Sequence, residues 1–245
     1  MNNRDRIKSK ILESYPQKWW GDDFDVRFFL ISKVSVLQNK TILDLGGGIG
    51  IISDELDSSN IRFNLDISKK DLRFCLKNTR SKIHNICSIM EKIPFRSNSF
   101  DYIISGSVLQ YAKNKDVANN QYYKKNRYYE YPSVEKTLSE INRVLKNNGK
   151  LFLVTPNNTY YKSYMLEYEE LKHAIENHFS KYSMFFYNTF PILSRKYRKL
   201  NLANTIPKML SKIKNPDSVI QYLIRKDNGK NKDSISFYVE AIKKG

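Results

Sequence analysis

Two carboxylates and a run of glycines are the residues of this chain whose types and spacing could do chemistry. Asp44 lies near the end of an apolar run, Thr41-Ile42-Leu43-Asp44-Leu45, and Gly46-Gly47-Gly48-Ile49-Gly50 follows at once. Ile51-Ile52-Ser53-Asp54-Glu55-Leu56 then reads as the start of a helix. A strand, a tight turn and a helix N-terminus let backbone come close to a nucleotide-like ligand. Glycine serves there because some positions need φ > 0 and others must keep side chains out of the ligand's way. Asp66 ends a second apolar run, Ile61-Arg62-Phe63-Asn64-Leu65-Asp66, 22 residues after Asp44. That is about the interval at which a βαβ unit sets an acid on ribose hydroxyls. Asp66 has another role open to it, as a cap of the helix that Ser68-Lys69-Lys70-Asp71 begins, and the two roles are compatible.

The glycines separate two cofactor classes. A nicotinamide site wants G-x-G-x-x-G, and here the third position is Ile51. The spacing of Gly46, Gly48 and Gly50 behind Asp44 instead resembles motif I of the class I S-adenosylmethionine-dependent methyltransferases. In that family the acid near the end of the first strand helps to place the amino-acid part of the cofactor. The resemblance continues through Glu91-Lys92-Ile93-Pro94-Phe95 and Ser99-Phe100-Asp101, then Val108-Leu109-Gln110-Tyr111, then Glu140-Ile141-Asn142-Arg143-Val144-Leu145-Lys146, and Thr155-Pro156-Asn157. These motifs stand in the family's order over residues 40–158, and they look most like the branch of quinone-biosynthesis and other small-molecule or lipid enzymes. What the resemblance implies is S-adenosyl-L-methionine held by Asp44, Gly46, Gly47, Gly48, Gly50, Asp66, Ile67, Met90, Glu91, Ser105 and Gly106. Three positions depart from the pattern. Ile89 stands where relatives often carry an adenine-binding acid, so adenine recognition passes to Met90 and Glu91. Tyr111 stands where they often carry histidine. Asn148 replaces the first glycine of the pair before the run Leu151-Phe152-Leu153-Val154.

Methyl transfer from a sulfonium is an in-line displacement, so alignment alone can supply much of the rate, roughly 7–11 kcal/mol in favourable cases. Where a base is needed, the candidates are Tyr111, Asn157 and His173, in that order. Each also has a plain structural reading: Tyr111 and His173 as packing residues, Asn157 as a turn former. Trp19 and Trp20, ahead of the core, are candidates for a flap over the site. Cys75 and Cys87 read as small buried hydrophobes, and His173 and His178 lack the i, i+4 spacing of a paired zinc site.

These residues need elements to hold them. Strands are expected near 41–45, 61–66, 84–89, 100–105, 150–155, 182–190 and 236–242, with helices near 4–14, 23–38, 51–57, 68–79, 134–146 and 163–178. Alternation of this kind predicts an α/β fold: a doubly wound, mostly parallel seven-stranded sheet, with the antiparallel last strand that the methyltransferase resemblance implies. An N-terminal helical cap over 1–40 precedes a methyltransferase domain over 41–245, which carries insertions near 114–132 and 194–232. Ligands of such sheets bind at the carboxyl ends of the strands.

Composition bears on the acceptor. The formal net charge is +17, and a basic field attracts phospholipid surfaces, phosphorylated acceptors or nucleic acid. The 194–232 stretch sets Ile206, Met209, Leu210 and Ile213 at helical spacing beside many lysines and arginines, the mixture of an interfacial helix. The expected acceptor is therefore a small or lipid- or glycan-linked anionic molecule, with peripheral contact to an anionic membrane. An RNA acceptor, favoured only by the tyrosines of 114–132, comes second, and a non-catalytic cofactor-binding protein of the same fold third. The polar start and the absence of a run of ~20 apolar residues predict a cytoplasmic location. Nothing in the sequence fixes an oligomeric state.

Overall fold

A computed structural model describes residues 29–80, 82–113, 133–157, 166–187, 224–226 and 236–244. Its strands are β1 (Thr41–Leu45), β2 (Ile61–Asp66), β3 (His84–Cys87), β4 (Phe100–Gly106), β5 (Leu145–Pro156), β6 (Lys181–Tyr187), β7 (Ile224–Lys226) and β8 (Ser236–Ile242). They form one sheet in the order β3-β2-β1-β4-β5-β8-β6-β7. Strands β1 to β5 pair in parallel, and β8 runs antiparallel to both β5 and β6. All seven expected strands are present. The three-residue β7 is an addition at the edge, inside the stretch read as the second insertion, and pairs antiparallel with β6.

The helices are α1 (Ile51–Glu55), α2 (Lys69–Asn78), α3 (Val134–Val144) and α4 (Tyr168–His178), and residues 29–34 are also helical. Ser68 caps α2 by accepting from the Asp71 N–H at 3.2 Å, and Ser133 caps α3 by accepting from the Lys136 N–H at 3.3 Å. Along α3 the buried residues are Val134, Thr137, Leu138, Ile141 and Val144, the spacing of one apolar helix face. They join Leu43, Leu65, Ile103, Leu151 and the buried face of α4 in one core. Ile42, Ile104 and Phe152, whose side chains leave the other face of the sheet, pack with Ile52 of α1 and with Phe29, Leu30 and Val34. Two cores on two faces make the sheet a buried layer, as a mainly parallel sheet requires.

The junction of α3 and β5 differs from expectation. The strand begins directly at Leu145, opposite Phe100, and regular pairing resumes only at Lys150 opposite Tyr102. Residues 146–149 bulge between, and Asn148 takes φ 60°. Asparagine tolerates that left-handed conformation better than most residues, so it can occupy the position that relatives give to glycine. The expected helix at 4–14, Trp19, Trp20, all of 114–132 and most of 194–232 lie outside the described residues.

Candidate cofactor site

The carboxyl ends of β1, β2 and β4 place their loops on one rim, and β2 shapes the glycine turn of β1. Gly46 and Gly47 both donate their N–H to the Leu65 carbonyl, at 2.7 and 3.3 Å. The Gly48 N–H goes to Asp66 Oδ2 at 2.9 Å. Gly46, Gly48 and Gly50 have φ of 71°, 53° and 76°, the left-handed region in which side chains are strained. At Gly50 there is a second constraint: a Cβ would stand 2.4 Å from Cys75 Sγ. Cys75 is buried, so one cysteine acts as a spacer beneath the turn.

Asp44 is 1% exposed, and its Oδ2 accepts from the Ser53 N–H at 3.2 Å and the Ser53 hydroxyl at 2.8 Å. The carboxylate therefore secures the first turn of α1 from below the glycine loop. Asp66 Oδ1 accepts from the Ser68 N–H at 2.7 Å, which closes the turn into α2, and the helix cap itself is Ser68 rather than Asp66. A carboxylate offers about four acceptor sites, and these two N–H groups use two of them. Burial raises the Asp66 pKa above the ordinary aspartate value, against the opposing pull of the Ser68 and Gly48 N–H groups.

The loop after β3 is held by residues distant in sequence. Arg143 donates through Nε and Nη2 to Glu140 at 2.6 and 2.8 Å, and through Nη1 and Nη2 to the carbonyls of Phe95 and Ile93 at 2.8 and 2.9 Å. Glu140 in turn accepts from the Ile93 N–H at 2.9 Å. The E-x-x-R pair of α3 is thus a clamp on the segment that follows Met90 and Glu91. Glu91 is buried, Met90 and Ile67 are half-buried, and Ile89 is turned into the protein at 6% exposure.

At the end of β4, Ser105 is buried and its Oγ has no hydrogen-bond partner among the described residues. Gly106 brings the chain against Ile52 and Leu30, whose Cδ1 atoms would lie 3.1 and 3.2 Å from a Cβ there. Tyr111 is exposed, whereas its neighbour Gln110 is buried, donating to the Ser107 carbonyl at 2.7 Å and accepting from Thr155 Oγ1 at 3.5 Å. Asn157 is fully buried just past β5, bridged to Leu166. His173 departs from expectation. It is exposed on α4, whose buried residues are Tyr168, Leu171, Ala174 and Ile175, so its side chain points away from the core and it is not the packing residue it was read as. Sequence reasoning passed over Gln110 and Thr155; the signal was a polar residue beside Leu109 and beside Val154, in segments otherwise apolar. A cavity of about 610 Å³ lies elsewhere, at the β3 edge, lined by Phe63, Leu76, His84 and Phe95 among others.

Residues 43–153 match the sequence model of the methyltransferase domain family. That stretch is thus similar to a methyltransferase domain. S-adenosylmethionine is the cofactor that the sequence resemblance implies, and the residues present suit it. Left-handed glycines leave the turn bare, Asp66 keeps acceptor capacity, and the buried Ser105 hydroxyl has a hydrogen bond still to make. An uncharacterized protein of Methanocaldococcus jannaschii is 29% identical over 164 residues, 60% of this chain and 62% of its own length. The chain thus spans less than two thirds of that relative. Solved structures share the fold of the methyltransferase domain and extend over nearly the whole chain. A Thermotoga maritima S-adenosylmethionine-dependent methyltransferase, described as a possible histamine N-methyltransferase, superposes with a TM-score of 0.60 at 13% identity, covering 99% of this chain and 100% of its own. Phosphoethanolamine N-methyltransferase 2 of Haemonchus contortus, bound to S-adenosyl-L-methionine, superposes with a TM-score of 0.54 at 16% identity, covering 92% of this chain and 53% of its own. Among the described residues no helix is long and apolar enough to cross a membrane.

Proposed function

We propose that the chain transfers a methyl group from S-adenosylmethionine to a small, or lipid- or glycan-linked, anionic acceptor. The observation that carries the acceptor class is the net charge of +17 on a chain of 245 residues. Such a field raises the local concentration of anions and speeds their encounter. The bound cofactor supplies an electrophilic methyl on a positively charged sulfur. This chain's own residues do the rest. The glycine turn and Asp66 orient the nucleoside end, and Ser105 and Gly106 wall the site on the β4 side. Tyr111, exposed on the same rim, and Asn157, buried beneath it, are the groups available to orient the acceptor or to take its proton. Catalysis then rests on alignment of the acceptor's nucleophilic atom, with proton removal secondary.

Transfer of tritiated methyl from S-adenosylmethionine into fractionated extract of the native cell tests this. Label in total lipid or in anionic soluble metabolites is the expected result. Label in RNA alone overturns the acceptor class, and clear cofactor binding without transfer to any fraction overturns the enzymatic reading.

A further inference from the structure

Asn64 has no assigned role, yet it lies at the centre of the glycine turn's supports. In the pairing of β1, β2 and β3, Asp44 stands opposite Asn64 and Asn64 opposite Asn85. Register partners in adjacent parallel strands project to the same face, so three polar side chains line up beneath the turn. Asn64 is 0% exposed. Its Nδ2 donates to the Gly48 carbonyl at 3.0 Å and to Asn85 Oδ1 at 3.0 Å. The two peptide groups that flank the Gly48 Cα are thereby both held, through its N–H by Asp66 and through its C=O by Asn64. The amide also crowds the preceding residue. A Cβ on Gly47 would lie 2.4 Å from Asn64 Oδ1 and 2.5 Å from Asp44 Oδ2.

We propose that Asn64 is a positioning residue for the cofactor, fixing the Gly48 carbonyl so that the turn presents its bare backbone to the ligand in one geometry. The inference rests on the assignment of this turn to S-adenosylmethionine. The chemistry demands an amide. A donor must face the Gly48 carbonyl, and a carboxylate there would set an acceptor against that oxygen and a second negative charge beside Asp44. A leucine of similar volume would leave a buried carbonyl without its donor, the costly half of a broken hydrogen bond. Asn85 touches Asn64 but not the turn, so it is the natural control.

The test is calorimetric titration with S-adenosylhomocysteine of the full chain and of Asn64→Asp, Asn64→Leu and Asn85→Ala, each shown to be folded at the titration temperature by circular dichroism. Asn64→Asp keeps the side chain's size but adds a charge beside Asp44, whereas Asn64→Leu keeps its volume without a charge, so the two variants burden the fold by different routes and either can be read if the other does not fold. Both Asn64 variants are expected to bind at least tenfold more weakly than wild type. Asn85→Ala is expected to lower the melting temperature while its affinity stays within threefold of wild type. That split separates positioning from a general loss of stability. Wild-type binding with both Asn64 variants within twofold of it overturns the role of Asn64 and leaves the cofactor assignment standing. Equal losses at Asn64 and Asn85 overturn it as well, because the ladder would then act only through stability. No binding by the wild type overturns both assignments together.

Discussion

Asp66 Oδ2 accepts the backbone N–H of Gly48 at 2.9 Å, so the carboxylate assigned to the ribose also holds the turn assigned to the rest of the cofactor. A single side chain couples two halves of the site. Replacing it should therefore cost more than one ligand hydrogen bond. Asp66→Ala is expected to weaken S-adenosylhomocysteine binding by about 2–3 kcal/mol, roughly 30- to 150-fold, because a charged acceptor is lost along with the tether of Gly48. Calorimetry reads this directly, and equal binding by wild type and variant would refute it.

The same carboxylate predicts a pH dependence. Burial raises its pKa in the folded chain. A group raised on folding favours the native state below its unfolded pKa and loses that contribution as pH rises through the folded value. Ligand binding has the opposite sign, since ribose hydroxyls donate to the ionised form. Affinity for S-adenosylhomocysteine should accordingly fall on acidification while the pH is still above the ordinary aspartate value of 3.8. In Asp66→Asn this fall should vanish. An unchanged acid limb in that variant would assign the titration to another group.

Gly50 and Cys75 form a pair that a double-mutant cycle can resolve. Gly50→Ala meets a left-handed φ of 76° and a sulfur 2.4 Å from the new Cβ. The backbone term alone costs roughly 1–2 kcal/mol, and the overlap adds to it. Cys75→Ala removes the sulfur while creating a small cavity. The double variant should be more stable than the sum of the single losses predicts, with about 1 kcal/mol of favourable coupling in urea unfolding. Strict additivity would mean that the turn shifts away from α2 instead.

How far the sequence discloses the site depends on the range of the interaction. Gly46, Gly48 and Gly50 announce a turn because left-handed backbone is a local requirement, and Asp66 follows from the length of one βαβ unit. Asn64 was invisible because its partners, Gly48 and Asn85, meet it only once three strands are in register. The clamp of Arg143 on Ile93 and Phe95 joins residues about 50 apart, so the E-x-x-R pattern was recognisable as a family signature without its physical purpose. His173 was legible but overlooked: Leu171, Ala174 and Ile175 mark the inner face of α4, and position 173 lies off it. The three-residue β7 is too short to show a period of two.

That clamp makes its own prediction. Arg143→Ala removes the donors of two backbone carbonyls and of Glu140. The Arg143 side chain is 35% exposed, so water replaces part of what is lost. A destabilisation of about 1–2 kcal/mol is expected, and Arg143→Lys should recover little of it because an ammonium cannot span the fork. Glu140→Ala and Arg143→Ala should be strongly non-additive. Full recovery by lysine in urea unfolding would show that charge, not geometry, holds the loop.

The acceptor class turns on where the positive charge acts. If it serves an anionic surface, the segment 194–232 should supply the contact, since it sets Lys208, Lys212 and Lys214 among Ile206, Met209, Leu210 and Ile213. Each basic residue near an anionic bilayer contributes about 1 kcal/mol, an attraction that salt screens. The chain should therefore pellet with vesicles containing phosphatidylserine and not with neutral phosphatidylcholine vesicles, and rising salt should release it. Changing the three lysines to glutamine should reduce pelleting by at least tenfold, since about 3 kcal/mol exceeds two factors of ten. Single-stranded RNA would instead call on cationic and aromatic side chains together, as in Lys124, Lys125, Arg127 and the tyrosines around them. Tight binding of bulk tRNA without pelleting would move the acceptor from lipid to RNA. Pelleting that survives the lysine changes would place the contact on some other face of the chain.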